Sequence, residues 1–307
     1  MAHTSAGHEV SRRTFGVYGL AALGAVSAGH ATSTQAAGST ATPFSNDADL
    51  VKALMKMRSS TDGSLRFGWL QAKRLSYIDG EITPLLGLLA GSVSQARDNG
   101  DGTFDITVVE ITYYLDVDSG ELLDTLQMPG TGKVVKIPLY RSAPTTTRVG
   151  TKTTVSEVST GEAGVVKKGK EQGSGAFAPK GDVKLERSVG PAIVQGNSVW
   201  IQTEEYGRVF PHDPKEPRVF YKESAIWQGD LPELLDPSVH SASTNLSYSA
   251  ATSWRPWMQM GDVKGHTMSS GVGGKCSDLR DMPEQWLRLT ELHYPEVMKD
   301  AEGILKG

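Results

Sequence analysis

Tight turns between stretches of alternating apolar and polar residues constrain the fold more than any other feature of this chain. Turn sequences containing glycine occur at residues 79–80, 99–102 and 116–121. Residues 104–115, between the second and the third of these turns, have the pattern of one long strand. Turns rich in Asp, Asn and Gly reverse the chain between neighbouring antiparallel strands. The pattern therefore predicts an antiparallel meander.

Strand patterns also occur at residues 199–206, 219–227 and 246–254, and short helices are predicted near both ends of the chain, the first at residues 47–57. Residues 142–196 are rich in Thr, Ser, Gly and Lys, which fits either long strands with polar outer faces or an inserted loop. We therefore expect a mainly β protein, built as an antiparallel β-barrel or a two-sheet β fold with short flanking helices.

The first 42 residues have the pattern of a twin-arginine export signal. Arg12 and Arg13 precede an apolar stretch, residues 17–28, that is too short to span a bilayer. Small residues follow it, so cleavage is expected between Ala31 and Pro43. The alternative is an N-terminal anchor helix. We therefore predict a signal and linker at residues 1–42 and a single β-rich domain at 43–307. The Tat translocase would export it to the periplasm or the medium, with no stable membrane insertion after cleavage.

Net charge, the single cysteine and the spacing of the histidines limit the partners and cofactors that we expect. The formal net charge is −4, and the only short basic run, residues 167–170, lies in a region rich in Gly and Ser, so nucleic acid is not an expected partner. Cys276 is the only cysteine, so no intramolecular disulfide can form. The histidines are not at metal-ligand spacing and no dinucleotide loop is present, so neither a metal site nor a cofactor is predicted.

Two glutamates have the setting of acid–base groups. Glu110 shares a strand face with Phe104, Ile106, Val108 and Tyr114. Apolar neighbours raise the pKa of a carboxyl group and suit it to proton transfer. The alternative for Glu110 is an ion pair with an arginine across the sheet, or exposure to water at the rim.

Glu223 has similar neighbours in residues 219–227, and Glu205 is a weaker third candidate. If their strands line one cavity, Glu110 and Glu223 could act as acid and base. We expect Tyr114 and Arg255 to stabilise developing negative charge beside them.

Aromatic residues suggest a binding pocket. Residues 253–262 combine tryptophan and methionine with one arginine, which fits the wall of an apolar ligand pocket, although core packing explains the apolar members equally well. The predicted ligand-binding residues are Trp69, Tyr113, Tyr221, Trp227, Trp254, Trp257 and Met258.

Several segments are similar to one known family. They are Ser119-Gly120-Glu121-Leu122-Leu123-Asp124, Ser253-Trp254-Arg255-Pro256-Trp257-Met258-x-Met260-Gly261, Gly274-Lys275, Met282-Pro283 and Tyr294-Pro295. On these segments the chain resembles the family catalogued as domain of unknown function 1838, over nearly all of the sequence after the signal. The resemblance implies one continuous domain, and many members look like exported proteins. It supplies no reaction and no catalytic residues.

These observations lead to three functional hypotheses. All of them place a small, largely apolar or aromatic molecule inside a barrel similar to those of calycins. The first is a cofactor-independent lyase, isomerase or cyclase that uses carboxylate acid–base chemistry. The second is a non-catalytic carrier or sensor, and the third is a hydrolase of an exported glycoside or ester.

Overall fold

The structure, a computed structural model, describes residues 43–159, 181–216 and 218–306. The predicted export signal lies outside these residues. Within them, no helix combines the length and the apolar character needed to cross a membrane.

Strands are the main secondary structure of the described residues. The helices are α1 (Asp47–Arg58), α2 (Leu231–Leu235), α3 (Glu284–His293) and α4 (Pro295–Lys299). The strands are β1 (Arg66–Ile78), β2 (Glu81–Asp98), β3 (Phe104–Leu115), β4 (Thr125–Gln127), β5 (Val134–Lys136), β6 (Tyr140–Arg141), β7 (Thr145–Val149), β8 (Lys152–Ser159), β9 (Gly181–Val189), β10 (Ile193–Gln195), β11 (Ser198–Pro211), β12 (Val219–Asp230), β13 (Thr244–Thr252) and β14 (His266–Cys276). Short 3₁₀ turns lie at Pro256–Met258, Leu279–Asp281 and Gly303–Leu305.

One antiparallel sheet forms the body of the protein. Its strand order is β6-β3-β2-β1-β14-β13-β12-β11-β9-β8, with β7 also paired to β3 and β10 to β11, while β4 and β5 form a separate hairpin. The first long strand, β1, pairs with the last, β14, so the two ends of the meander meet in the middle of the sheet. The sheet curls into a half-barrel, which confirms the predicted mainly β, antiparallel fold.

The two ends of the half-barrel are linked by a short piece of chain. β7 pairs with β3 near one end of the sheet and β8 pairs with β9 at the other, yet only Gly150 and Thr151 separate β7 from β8. The Thr151 carbonyl accepts a hydrogen bond from the Val189 N–H, at 3.1 Å. Where the structure describes residues 142–196, they form strands rather than an inserted loop.

Helix α1 closes one end of the inner face. It begins where the Asn46 side chain accepts a hydrogen bond from the Asp49 N–H, at 2.8 Å, which satisfies a backbone donor that the helix itself leaves free. Its apolar side packs against β2, β3 and β11. This inner core includes Leu50, Val51, Leu54, Met57, Ala96, Phe104, Ile106, Val199 and Ile201.

Two further cores hold the sheet. Helices α3 and α4 cover the outer face of β1, β2 and β3, because alternate residues of these strands point away from the half-barrel interior. The outer core includes Phe67, Leu89, Val109, Ile111, Tyr113, Trp286 and Leu289. At the end of the inner face remote from α1, the β4–β5 hairpin and the segment after β13 form an end core. It includes Leu86, Leu88, Tyr114, Met128, Val135, Trp257, Met258 and Met260.

Candidate functional site

The inner face of the half-barrel lines a partly open cavity of about 630 Å³. Strands β1, β2, β3, β9, β11, β12, β13 and β14 contribute to its wall, together with α1 and the segment after β13. A cavity of this size accommodates a small organic molecule.

All four predicted catalytic residues line this cavity. Glu110 and Tyr114 are four positions apart on β3 and therefore point to the same side of the sheet. Glu223 points inward from β12, and Arg255 enters from the segment that follows β13. The charge of Arg255 acts on Glu110, Tyr114 and Glu223 alike, which indicates that it lies among them. The fold thus brings together groups that are more than a hundred residues apart in sequence.

Glu110 faces the cavity on one side and protein on the others. Its side chain is solvent-accessible because it lines the cavity, while protein surrounds it on the other sides. The Thr112 hydroxyl donates a hydrogen bond to Glu110 Oε1 at 2.7 Å. Burial raises the pKa of Glu110, and this hydrogen bond and the charges of Arg255 and Arg74 oppose the rise. Glu110 is therefore better able to hold a proton than an ordinary surface glutamate.

Glu223 is a carboxyl group with a pKa near neutrality. Burial raises the pKa of Glu223 to about 7, and the negative charges of Glu205 and Glu110 act in the same direction. The charge of Arg255 and a hydrogen bond from Tyr248 act against them. A group with a pKa near 7 can both donate and accept a proton at physiological pH.

Glu205 links Glu223 to the basic groups of the wall. It lies opposite Glu223 on one neighbouring strand and opposite Arg187 on the other. It forms an ion pair with Arg187, and the Tyr221 hydroxyl donates a hydrogen bond to Glu205 Oε1 at 2.9 Å. A fixed carboxylate is thereby held beside Glu223.

Several tyrosines add phenol groups to the wall. Burial is the largest cause that raises the pKa values of Tyr114, Tyr140, Tyr221 and Tyr248, so these phenols remain neutral and can donate hydrogen bonds. The ring of Tyr114 packs against that of Trp257, with a centroid separation of 5.7 Å. The contact with Trp257, in the end core, thus fixes the position of the Tyr114 ring.

The predicted ligand-binding residues divide between the cavity and the cores. Tyr221 and Trp227 line the cavity, and Trp227 Nε1 donates a hydrogen bond to Thr203 Oγ1 at 3.2 Å. Trp69 also borders the cavity, but its side chain packs with the outer core.

The other four residues predicted to bind the ligand lie outside the cavity wall. Tyr113 is fully buried on the outer face, where its hydroxyl contacts Thr290 Oγ1 at 3.1 Å, because the strand alternation turns it away from Glu110. Trp254, Trp257 and Met258 pack in the end core instead of bordering the cavity. Core packing, the alternative explanation of the aromatic segment, therefore applies to its apolar members, while Arg255 faces the cavity.

Apart from Arg255, the basic residues of the cavity wall were not among the predicted site residues. Arg74 donates a hydrogen bond to Ser269 Oγ at 3.0 Å and lies over the Tyr114 ring, whereas Arg58 and Arg187 line the opposite part of the wall. The alternation of Val183, Leu185, Arg187 and Val189 on β9 carries the same signal that singled out Glu223. Arg58 carries no such signal, because a basic residue in the last turn of a helix is ordinary.

Within the described ranges, no group of three or more His, Cys, Asp or Glu side chains is arranged to hold a metal ion. The chemical groups that the cavity does offer are carboxyls, guanidiniums and phenols.

No curated protein matches the chain. The model of a family described as "Protein of unknown function (DUF1838)" matches residues 213–303. This region contains β12 to α4 and carries Glu223, Tyr248 and Arg255 of the cavity wall. The resemblance to the domain of unknown function 1838 family that the sequence predicts is thereby confirmed by the match at residues 213–303.

Proposed function

We propose that the protein is a cofactor-independent enzyme of the lyase, isomerase or cyclase type, which moves a proton within a small molecule held in the half-barrel cavity. One observation carries the proposal. Glu110 and Glu223 line the same cavity, and the pKa of Glu223 is raised to about 7. Two carboxyl groups in different environments are a common arrangement for an acid and a base.

In this proposal Glu223 and Glu110 exchange protons with the ligand. The carboxylate form of one glutamate removes a proton from carbon, and the protonated form of the other returns a proton elsewhere on the molecule. Arg255 and the neutral phenol of Tyr114 stabilise negative charge that develops on a ligand oxygen between these two steps. This role is supported by the charge of Arg255, which lowers the pKa values of both glutamates and of Tyr114.

The residues of the cavity wall also suggest which chemical groups the ligand carries. Leu70, Leu88, Val108 and Trp227 provide apolar surface, and the glutamates and arginines provide polar contacts. We therefore propose a ligand with an aromatic or aliphatic body and at least one oxygen function, which is more polar than the largely apolar molecule expected from the sequence.

The first experiment identifies the ligand. Small molecules released from the protein purified from its own host are identified by mass spectrometry, and each is then tested for turnover. Glu223→Gln and Glu110→Gln should each abolish turnover while ligand binding persists, since glutamine retains the shape but cannot transfer the proton. Glu186→Gln is the matched control, because Glu186 has a largely exposed side chain paired with Lys184.

Two alternatives predict other results. A carrier or sensor would bind the released molecule without converting it, and the glutamine variants would then change affinity alone. A hydrolase of a glycoside or ester would release two products, and a glycosidase would need its two carboxyl groups roughly 5 to 10 Å apart. Wild-type protein that binds its ligand but never converts it would overturn the enzyme proposal.

We also propose that the protein is exported by the Tat translocase. The support is the Arg12-Arg13 pair and the short apolar stretch after it. Replacing both arginines with lysine keeps the charge but removes the pair, so the protein should accumulate inside the cell. Cell fractionation of the host measures this. An equal distribution of the variant and the wild type would contradict export by this route.

A further inference from the structure

Arg58 is a cation that the proposed proton transfer does not use. It is the last residue of α1, and its side chain lines the cavity. The charges of Arg187 and Glu205 both act on its guanidinium, so it lies at the part of the wall that β9 and β11 form. Arg58 therefore borders the same cavity as the glutamates but approaches it from the helix end.

The guanidinium of Arg58 has no hydrogen-bond or ion-pair partner within the part of the chain that the structure describes. Burial lowers the pKa of Arg58, and the positive charge of Arg187 lowers it further, against the effect of Glu205. Enclosing an unpaired charge in protein is costly, and such charges normally have a partner. The carboxylate whose charge acts on Arg58, that of Glu205, is already engaged by Arg187 and Tyr221.

The cavity wall as a whole carries more basic than acidic side chains. Among the described residues that line the cavity, six are basic and four are acidic. These are Arg58, Arg74, Arg148, Arg187, Arg255 and Lys275 against Glu110, Glu204, Glu205 and Glu223. The raised pKa values of Glu110 and Glu223 increase the excess, because a protonated carboxyl group carries no negative charge, whereas the pKa of Lys275, which burial lowers to about 7, reduces it. An anion in the cavity would restore the balance.

We infer that the ligand of this cavity carries an oxyanion, a carboxylate or a phosphate, which Arg58 binds with Arg187 beside it. The planar guanidinium offers parallel N–H donors that match either group. The inference deepens the proposed function and rests on it, since the same molecule would present its oxyanion to Arg58 and its reacting carbon to Glu223. The substrate class is then a small organic acid or a phosphate ester.

Thermal unfolding with simple oxyanions tests this inference. The probes are inorganic phosphate and acetate, each compared with chloride at equal ionic strength. A ligand that binds only the folded chain raises the Tm. We expect at least one oxyanion to raise the Tm of the wild type by about 2 °C or more. The rise should vanish in Arg58→Gln and persist in Lys52→Gln, which removes a positive charge from the exposed side of the same helix.

The variants should fold, because Arg58 makes no hydrogen bond that its replacement would break. Arg58→Met is a second variant of similar length that also lacks the charge. An equal Tm rise in the wild type and in both Arg58 variants would mean adventitious binding elsewhere on the protein and would overturn the inference. The absence of any Tm rise specific to phosphate or acetate in the wild type would overturn it as well.

Glu223→Gln separates this inference from the proposed function. This variant should keep the Tm response to the oxyanion while it loses turnover of the identified ligand. If the oxyanion response depends on Arg58 but the wild type converts no ligand, the anion site stands and the enzyme proposal falls. If the identified substrate is neutral and its turnover is unaffected in Arg58→Gln, the enzyme proposal stands and the anion site falls.

Discussion

Glu205 and Glu223 lie directly opposite each other on β11 and β12, and both line the cavity. Like charges in opposite positions of neighbouring strands destabilise a sheet. The protein accommodates the pair by different means on each side. Glu205 is paired with Arg187, whereas the pKa of Glu223 rises to about 7 and allows that carboxyl group to hold a proton. The carboxyl group of Glu223, with a pKa near 7, thus lies beside the ion-paired carboxylate of Glu205.

The first prediction concerns this pair. In Glu205→Gln the pKa of Glu223 should fall from about 7 toward the ordinary value of a glutamate, because the charge of Glu205 is the second-largest cause of its rise. Titration of the ¹³C-labelled carboxyl carbons by NMR measures the change. Glu186→Gln, at an exposed position, should leave the titration of Glu223 as it is. An unchanged pKa of Glu223 in Glu205→Gln would show that the charge of Glu205 does not contribute to the rise.

The second prediction concerns the pH dependence of stability. Between its ordinary pKa of 4.5 and its folded value of about 7, Glu223 keeps its proton in the folded chain and loses it in the unfolded chain. The free energy of unfolding should therefore fall as the pH rises through this interval, and level off above it. The loss due to Glu223 is on the order of 1–3 kcal/mol, after allowance for screening by water in the cavity.

Urea unfolding at a series of pH values measures this dependence. Glu223→Gln should flatten the curve and should be more stable than the wild type above about pH 7, because it carries no charge to desolvate. Glu110, whose pKa is also raised, should leave a residual slope of the same sign. Parallel curves for the wild type and Glu223→Gln would contradict the raised pKa of Glu223.

The grouping of Glu110, Tyr114 and Glu223 on the inner face could be predicted in part from the sequence. Strand alternation has a period of two, so residues 110 and 114 of β3 must share a face. The sequence does not reveal that β1 pairs with β14, which joins the two halves of the chain in one half-barrel. That pairing is set by contacts distant in sequence. It brings β12 and Arg255 around to the cavity that β3 lines.

The aromatic residues show where prediction from the sequence ends. Tyr113 and Tyr114 are equally apolar neighbours in sequence, but α3 covers the face of Tyr113 and the cavity borders that of Tyr114. Trp257 has the composition of a pocket wall yet lies behind Tyr114 in the end core. Composition cannot separate a cavity wall from a core, because the difference depends on which element packs over each face.

The third prediction concerns the contact between β2 and α3. A Cβ atom at Gly91 would lie 2.2 Å from Cε2 of Trp286, a fully buried ring whose Nε1 donates a hydrogen bond to the Ile111 carbonyl. Gly91→Ala should therefore lower the free energy of unfolding by about 1–3 kcal/mol or more, because overpacking forces the ring or the strand to move. Gly190→Ala is the control, since its Cβ would meet its nearest atom, the Gln202 carbonyl oxygen, at 3.4 Å. Equal stability of the two variants in urea unfolding would show that the Trp286 ring moves without cost.

The fourth prediction concerns the end of α1. The last carbonyl groups of a helix have no partner within the helix. Here Lys275 Nζ, from β14, donates hydrogen bonds to the carbonyls of Lys56 and Ser59, and to Ser241 Oγ at 2.7 Å. Burial lowers the pKa of Lys275 to about 7, so the lysine is held there at a cost that its hydrogen bonds must offset.

Lys275→Met should therefore destabilise the protein although it keeps a long apolar side chain. The lost hydrogen bonds leave acceptors at the end of α1 without this donor, and we expect a decrease of about 1–3 kcal/mol in the free energy of unfolding measured with urea. Lys52→Met is the control, because Lys52 lies on the exposed side of the same helix. Removing a buried ammonium also removes its desolvation cost, which acts in the opposite direction. A Lys275→Met protein as stable as the wild type would contradict this prediction.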